Sequence, residues 1–353
     1  MKERIKWIDA LKFFAIYLVL WGHNIQYFHW TQAYYDEPIY RIIYSFHMPL
    51  FMALSGFFAT SLSNKSFITV LRDKFIRLIL PIITMACIFI LLRIICSQLE
   101  ILQNKSFINT RPEDGFWFLK SAFICNITFY LVNKSKKYYL FLLVSTLLLS
   151  QLFCGYKFYK IDIMYPCFIL GAYIKLYLKN IIRYSKSISI ITGFVFIILL
   201  LFWDASFWST INIYKEDNNI LIVTELFKLI YIKSYTILIG IIGTLFFITL
   251  FEYLSHIIPK TIFGEICIKS GSHTLGIYIF QSLIIERLLS GYINLDTMDF
   301  FLFNFIITPF LSIVILFVCI GIILLIKKLP LLDFLILGSL KSKKIKSLQI
   351  FNY

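Results

Sequence analysis

Charged residues are scarce in this chain of 353 residues: only 15% are Asp, Glu, Lys or Arg, while 59% are hydrophobic. A soluble domain of this length could not bury so much apolar surface. Apolar runs of about 20 residues, the length that crosses a bilayer as a helix, recur along the whole chain. The composition therefore predicts an all-α, polytopic membrane helix bundle and argues against a soluble enzyme.

Familiar signatures of metal and nucleotide sites are missing as well. The seven cysteines are dispersed through apolar segments, with no Cys-x-x-Cys pair and no His/Cys spacing typical of zinc, so we predict no metal. The chain has no Walker-type loop and no Gly-x-Gly-x-x-Gly loop. The net charge of +15 does not indicate nucleic acid, because the lysines and arginines cluster in alternate loops, as expected for the cytoplasmic side of a membrane protein.

The apolar runs predict about ten transmembrane helices, with both termini in the cytoplasm. The region 218–233 is apolar but carries charges, so it either lies on the outer interface or extends the eighth span. Residues 1–330 form the membrane part, and 331–353 form a basic cytoplasmic or interfacial tail. The ten spans cover residues 7–28, 39–62, 75–99, 116–132, 138–153, 162–178, 188–202, 234–250, 273–289 and 301–326.

The first span carries a cation near its start and an imidazole near its end. Lys12 and His23 are eleven residues apart, which is about 20° beyond three whole helical turns, so they share one face at a separation of about 16 Å. A second imidazole, His47, falls at a similar depth in the next span. Ionisable groups at membrane depth are costly and usually line a functional cavity, although packing between helices could also explain a lone histidine.

Other candidate residues lie in later segments. Arg72 and Arg77 lie at the entrance to the third span, before residues 78–81, where they act as topology determinants and lipid anchors or as ligands for the phosphates of a cytosolic donor. Trp117 opens the fourth span, and an interfacial aromatic belt alone would explain it. Gln281, about 12 Å inside the ninth span, must find polar partners, either between helices or in a cavity.

Taken in order, these segments resemble the integral-membrane acyltransferase-3 family. The resemblance covers about residues 4–330 and begins with the pattern Asp9, Leu11, Lys12 and His23. Two positions depart from it, since many members have Arg in place of Lys12 and His in place of Gln281. The segments that follow in the family's order are 46–57, the basic run into 78–81, 117–119, 165–171 and 274–281.

The resemblance implies a membrane-bound O-acyltransferase with residues 1–330 as its catalytic domain. The donor would be acetyl-CoA, its phosphates near Arg72, Arg77 and Lys12. His23 would deprotonate the acceptor hydroxyl or carry the acetyl group itself. His47 would orient the acceptor or stabilise the carbonyl oxygen.

Trp117 and Gln281 are assigned to substrate binding. By family analogy the acceptor is a surface glycan or its lipid-linked precursor, in a multi-pass protein of the bacterial inner membrane. The alternative is a transporter or flippase of a polysaccharide precursor, which would predict internal repeats that the chain does not show. A non-catalytic membrane scaffold with structural histidines is a third possibility.

Overall fold

A computed structural model describes residues 5–29, 32–99, 115–153, 158–207 and 223–340. Within these ranges the chain folds into helices and connecting turns, without a β-strand. The α-helices of the described residues are α1 (Lys6–Phe28), α2 (Pro38–Ala59), α3 (Phe67–Lys74), α4 (Leu80–Leu99), α5 (Trp117–Lys134), α6 (Tyr139–Ser150), α7 (Ile161–Leu176), α8 (Leu178–Arg183), α9 (Ser185–Leu201), α10 (Val223–Tyr253), α11 (Ile262–Ser270), α12 (Thr274–Gln281), α13 (Thr308–Ile326) and α14 (Pro330–Leu337).

Each predicted span overlaps at least one of these helices, and the chain is an all-helical, multi-pass membrane protein. The count of ten spans and the location of the termini stay predictions. Five helical stretches among the described residues are long and apolar enough to cross a bilayer: Lys6–Phe28, Pro38–Leu62, Phe67–Ile95, Phe227–His256 and Leu302–Ile326.

Two regions that the sequence left open have a defined structure. Helix α10 runs without a break from Val223, so this part of the region 218–233 extends the eighth span; 218–222 lie outside the described residues. The predicted tail begins at the first turn of α14, which packs against α4. Residues 341–353 lie outside the described part.

Helices α2 and α7 cross with their backbones in contact. A Cβ atom placed on Gly56 would lie 1.9 Å from the carbonyl oxygen of Phe168, and one on Gly171 would lie 1.8 Å from that of Ala53. Only glycine fits at such a crossing, since any side chain would force the helices apart. This close approach fixes α2 beside α7.

Three π-helical stretches interrupt the α-helical geometry. They cover Phe75–Ile79, Ser282–Leu289 and Leu302–Ile307. A π-helix bonds residue i to residue i+5, which turns side chains five apart toward the same side, and such stretches are frequent at functional sites. The first holds Arg77, and the second contains two buried ionisable residues.

Candidate active site

His23 lies near the end of α1 that is remote from Lys6. Its side chain is 17% exposed, and its Nδ1 lies 2.7 Å from Oε1 of Gln281. The same nitrogen lies 3.4 Å from Oε1 of Glu286, whose side chain is 8% exposed. Two polar groups at and beyond the end of α12 thus hold the imidazole from one side.

The hydrogen bonds define which ring nitrogen of His23 carries the proton. An ionised carboxylate only accepts, so the Gln281 amide nitrogen faces Glu286, at 3.4 Å from its Oε1. The Gln281 oxygen consequently faces His23, and the imidazole donates from Nδ1. In the neutral ring the lone pair is then on Nε2, for which the described residues provide no hydrogen-bond partner.

The π-helical stretch Ser282–Leu289 places Glu286 beside His23. In an α-helix, residues five apart would point about 140° away from each other. Here Gln281 contacts Glu286, and Nη1 of Arg287 donates to Oγ of Ser282 at 2.8 Å, so both contacts join residues five apart. The Ser282 hydroxyl donates in turn to Oε2 of Glu286 at 2.9 Å. The carboxylate is thereby fixed on both of its oxygens.

The chain before α5 covers this cluster. Gly115 has φ +88°, and a Cβ atom there would lie 2.7 Å from Oε2 of Glu286. Glycine meets both requirements, the positive φ and the close approach. The Tyr278 hydroxyl donates to the carbonyl oxygen of Gly115 at 2.6 Å. On another side the Arg287 guanidinium lies 4.0 Å above the ring centre of Phe89.

An internal cavity of about 140 Å³ lies between α1, α2, α5 and α12. Ile16 and Val19 line it from α1, and both lie within about 40° of His23 around the helix. Tyr278 lines it from α12. The cavity therefore follows the face of α1 that leads to His23, and its size is comparable to that of a cavity that takes one benzene molecule.

A second hollow, of about 290 Å³, opens at the end of the bundle where α13 ends. We call it the basic mouth because Arg77, His273 and Lys327 line it. Leu275 lines both hollows, and Leu78, next to Arg77 in sequence, lines the internal cavity. The two hollows therefore meet at these leucines.

Comparison with known proteins identifies the family to which this chain belongs. The family described as "Acyltransferase domain", the acyltransferase-3 family, matches residues 5–326. The chain belongs to this family. It is similar to nodulation protein NolL of Mesorhizobium japonicum, with 31% identity over 121 residues, or 33% of this chain and 32% of that protein. It is also similar to NolL of Sinorhizobium fredii, with 36% identity over 78 residues, or 21% of each chain.

The matched segments thus span about a third and about a fifth of the lengths of these relatives. No solved structure matches this chain. Membership in the acyltransferase-3 family confirms the family that the resemblance implied. The roles of individual residues stay predictions.

At Gln281, where many acyltransferase-3 members have His, the amide accepts the hydrogen bond that orients His23. Glutamine can hold this bond but cannot exchange a proton near neutral pH. Gln281 therefore lies beside His23. Any acid–base chemistry at this pair therefore belongs to His23.

Lys12 is the other position that departs from the family pattern. Its charge is balanced by Asp9, three residues earlier in the same helix. Its Nζ lies 3.3 Å from Oδ1 of Asp9 and 4.5 Å from the ring centre of Phe58. Neither hollow, as far as the described residues define them, is lined by Lys12. Lys12 lies on the same face of α1 as His23, but its side chain does not line a hollow that leads toward His23.

His47 is buried in α2. Its Nδ1 donates to the carbonyl oxygen of Ile43 at 2.7 Å, and its ring centre lies 4.7 Å from that of Tyr44. No hydrogen bond joins His47 and His23 in the part of the chain described.

The remaining predicted residues divide between the surface and the cavity wall. Arg72 is 66% exposed and pairs with Asp73. Of the two predicted arginines, only Arg77 lines the basic mouth. Trp117 is the first residue of α5, and its ring lies 6.1 Å from that of Phe118, which lines the internal cavity.

The sequence analysis missed Glu286 and Arg287. Both are almost completely buried, and adjacent ionisable residues inside an apolar span are a functional signal by themselves. They were overlooked because α-helical geometry turns them away from Gln281. His273 and Lys327, which line the basic mouth, are likewise absent from the predicted site residues.

Proposed function

We propose that this chain is an O-acyltransferase of the bacterial inner membrane that moves acetyl from acetyl-CoA to a hydroxyl group. The acceptor is a surface glycan or its lipid-linked precursor. One observation carries the proposal: Nε2 of His23 is the available ring nitrogen, and the face of α1 that bears it lines a cavity continuing toward the basic mouth. With both termini in the cytosol, the mouth faces the supply of acetyl-CoA.

The donor would bind along this route. Arg77 would hold phosphate oxygens with its forked guanidinium. The slender pantetheine arm would pass Leu78 and Leu275 into the internal cavity, whose lining is mostly apolar. The acetyl thioester at its end would thereby approach His23 on the face shared by Ile16 and Val19.

The reaction follows from the tautomer of His23. Nε2 takes the proton of the acceptor hydroxyl while the hydroxyl oxygen attacks the acetyl carbonyl carbon. The tetrahedral intermediate then collapses, the carbon–sulfur bond breaks, and the proton passes from Nε2 to the CoA sulfur. The products are the O-acetyl ester and CoA. Glu286 stabilises the imidazolium between these steps, because its carboxylate lies beside Nδ1.

His47 and Trp117 are assigned to the acceptor side. His47 is buried and its ring is fixed through Nδ1, which suits a group that orients the acceptor or stabilises the carbonyl oxygen. Trp117 starts α5 only two residues after Gly115, and Gly115 covers Glu286. A sugar ring could stack on the indole at the entrance to the cluster.

The test compares His23→Gln with the matched variant His256→Gln in purified protein reconstituted in nanodiscs. His256 lies on an exposed turn, so its replacement controls for loss of an imidazole. We expect His23→Gln to lower the release of CoA in the presence of acceptor by about 10²- to 10⁴-fold, the usual contribution of a general base. His256→Gln should retain full turnover.

Equal turnover in the two variants would remove His23 from the mechanism. Transfer of labelled acetyl to extracted glycan identifies the acceptor. Label retained on the wild-type protein but absent from His23→Gln would show that His23 carries the acetyl group itself.

A further inference from the structure

The basic mouth is assembled from three separate parts of the chain. Arg77 comes from the first π-helical stretch, His273 from the 3₁₀ turn Gly271–His273 before α12, and Lys327 from the residue that follows α13. Their side chains line one hollow of about 290 Å³. Three nitrogen-bearing side chains gathered from distant positions suit an anionic ligand better than an ordinary helix end.

The contact between two of them defines what the mouth offers. Nζ of Lys327 lies 2.9 Å from Nδ1 of His273. An ammonium has only donors, so it donates to the Nδ1 lone pair, and the His273 proton is on Nε2. The mouth therefore presents an ammonium, a guanidinium and an imidazole N–H, all of which donate to phosphate oxygens.

A single carboxylate lines the same hollow within the described residues. It belongs to Asp333 of α14, and it accepts a hydrogen bond from the hydroxyl of Ser339. A negative charge at this position opposes a bound anion, so it reduces the affinity that the cations provide. Removing the charge of Asp333 should therefore strengthen anion binding, and this gain can be measured.

The chain after α14 forms one wall of the mouth. Gly338 has φ +59°, and a Cβ atom there would lie 2.4 Å from the carbonyl oxygen of Ile76 and 2.7 Å from Cα of Arg77. The segment is thus pressed against the π-helical stretch that carries Arg77. Asp333, Leu337, Gly338, Ser339 and Leu340 of this part of the chain line the mouth.

We propose that Lys327 and His273, together with Arg77, bind the phosphate groups at the nucleotide end of the acyl donor, with α14 and Gly338 as a wall of the site. This assignment rests on the proposed function, in which that donor is acetyl-CoA. The position of the mouth supports it, because Leu275 lines both the mouth and the internal cavity, so the two hollows are neighbours. Acetyl-CoA suits this arrangement, because it carries phosphates at one end and the thin pantetheine arm at the other.

The test measures CoA binding to the full-length protein by calorimetry in nanodiscs of neutral lipid. Lys327→Gln is compared with Lys328→Gln, which removes the same charge from the next residue, outside the lining of the mouth. We expect Lys327→Gln to weaken CoA binding by about 10- to 100-fold, the value of one charge-assisted hydrogen bond, and Lys328→Gln to change it less than about 2-fold. Asp333→Asn should strengthen binding about 3-fold or more, a gain that misfolding could not produce.

Two further probes separate the alternatives. S-acetylpantetheine, which lacks the nucleotide, should bind the wild type and Lys327→Gln equally. Equal CoA affinities for Lys327→Gln and Lys328→Gln would overturn this assignment and leave the proposed function intact. An effect of Lys327→Gln only in nanodiscs of anionic lipid would also overturn it, by showing that the mouth binds a lipid headgroup. Absence of any CoA binding by the wild type would overturn the proposed function itself, and this assignment with it.

Discussion

Replacing Glu286 with Gln would remove one negative charge beside His23 while keeping the shape of the side chain. The carboxylate lies 3.4 Å from Nδ1, a distance at which two unit charges attract by about 1 kcal/mol in water and about 5 kcal/mol at an effective dielectric constant of 20. Because both side chains are largely buried, we expect a loss of about 2–4 kcal/mol in stabilisation of the imidazolium. At 1.36 kcal/mol per factor of ten, turnover should fall by about 30- to 1,000-fold.

The assay is the initial rate of CoA release at saturating acetyl-CoA and acceptor, with kcat and KM determined separately. Glu286 acts through His23 rather than on the substrate, so the decrease should be in kcat, with little change in KM for either substrate. The matched control is Glu265→Gln, which removes the same charge from a side chain that is 61% exposed. Size-exclusion chromatography would show that the variants remain folded.

Glu286→Asp should recover part of the activity, because it restores the charge at a somewhat greater distance. A folded Glu286→Gln enzyme with kcat within 3-fold of the wild type would refute the role of the carboxylate. A change confined to KM would refute it as well, because that result would place Glu286 in substrate binding.

Two more predictions concern orientation and packing. Gln281→Leu deprives Nδ1 of His23 of its acceptor, so kcat should fall about 10-fold, the value of one hydrogen bond of about 1.5 kcal/mol. Gln281→His, whose neutral ring offers one acceptor and one donor, should keep most of the activity, and the reverse order would contradict the assigned tautomer. Gly171→Ala would place a methyl group against a backbone oxygen, so the yield of folded protein and its melting temperature should drop. Gly321→Ala, at a site with no atom within 4 Å of the added carbon, should leave both unchanged, and equal melting temperatures would contradict the close crossing of α2 and α7.

The helical class and the positions of the apolar segments follow from hydropathy, because a lipid environment leaves few structures other than helices for such runs. The contacts of Gly56 and Gly171, in contrast, cannot be inferred from hydropathy. Nothing in the sequence indicates that Gly56 would meet Phe168 of α7. Contacts between helices depend on packing shapes that one sequence does not reveal.

The candidate site was predictable where it depends on a single helix and not where it depends on a change of helix type. The face shared by Lys12 and His23 follows from α-helical spacing, but the pairing of Lys12 with Asp9 does not. The position of Glu286 required the π-helical stretch, which brings residues five apart together. No residue between 281 and 287 signals that stretch by its chemical type, so the arrangement around His23 was accessible only from the structure.

Under the proposed function, the volume of the internal cavity would also limit which acyl groups can bind. A space of about 140 Å³ would hold a short acyl group at the end of its carrier, whereas a fatty acyl chain would have to displace the surrounding side chains. Packed interiors resist such displacement. Met48 and Phe51 line this space, and the unbranched methionine is the lining residue that adjusts most readily. We therefore expect short acyl thioesters to bind better than long-chain ones.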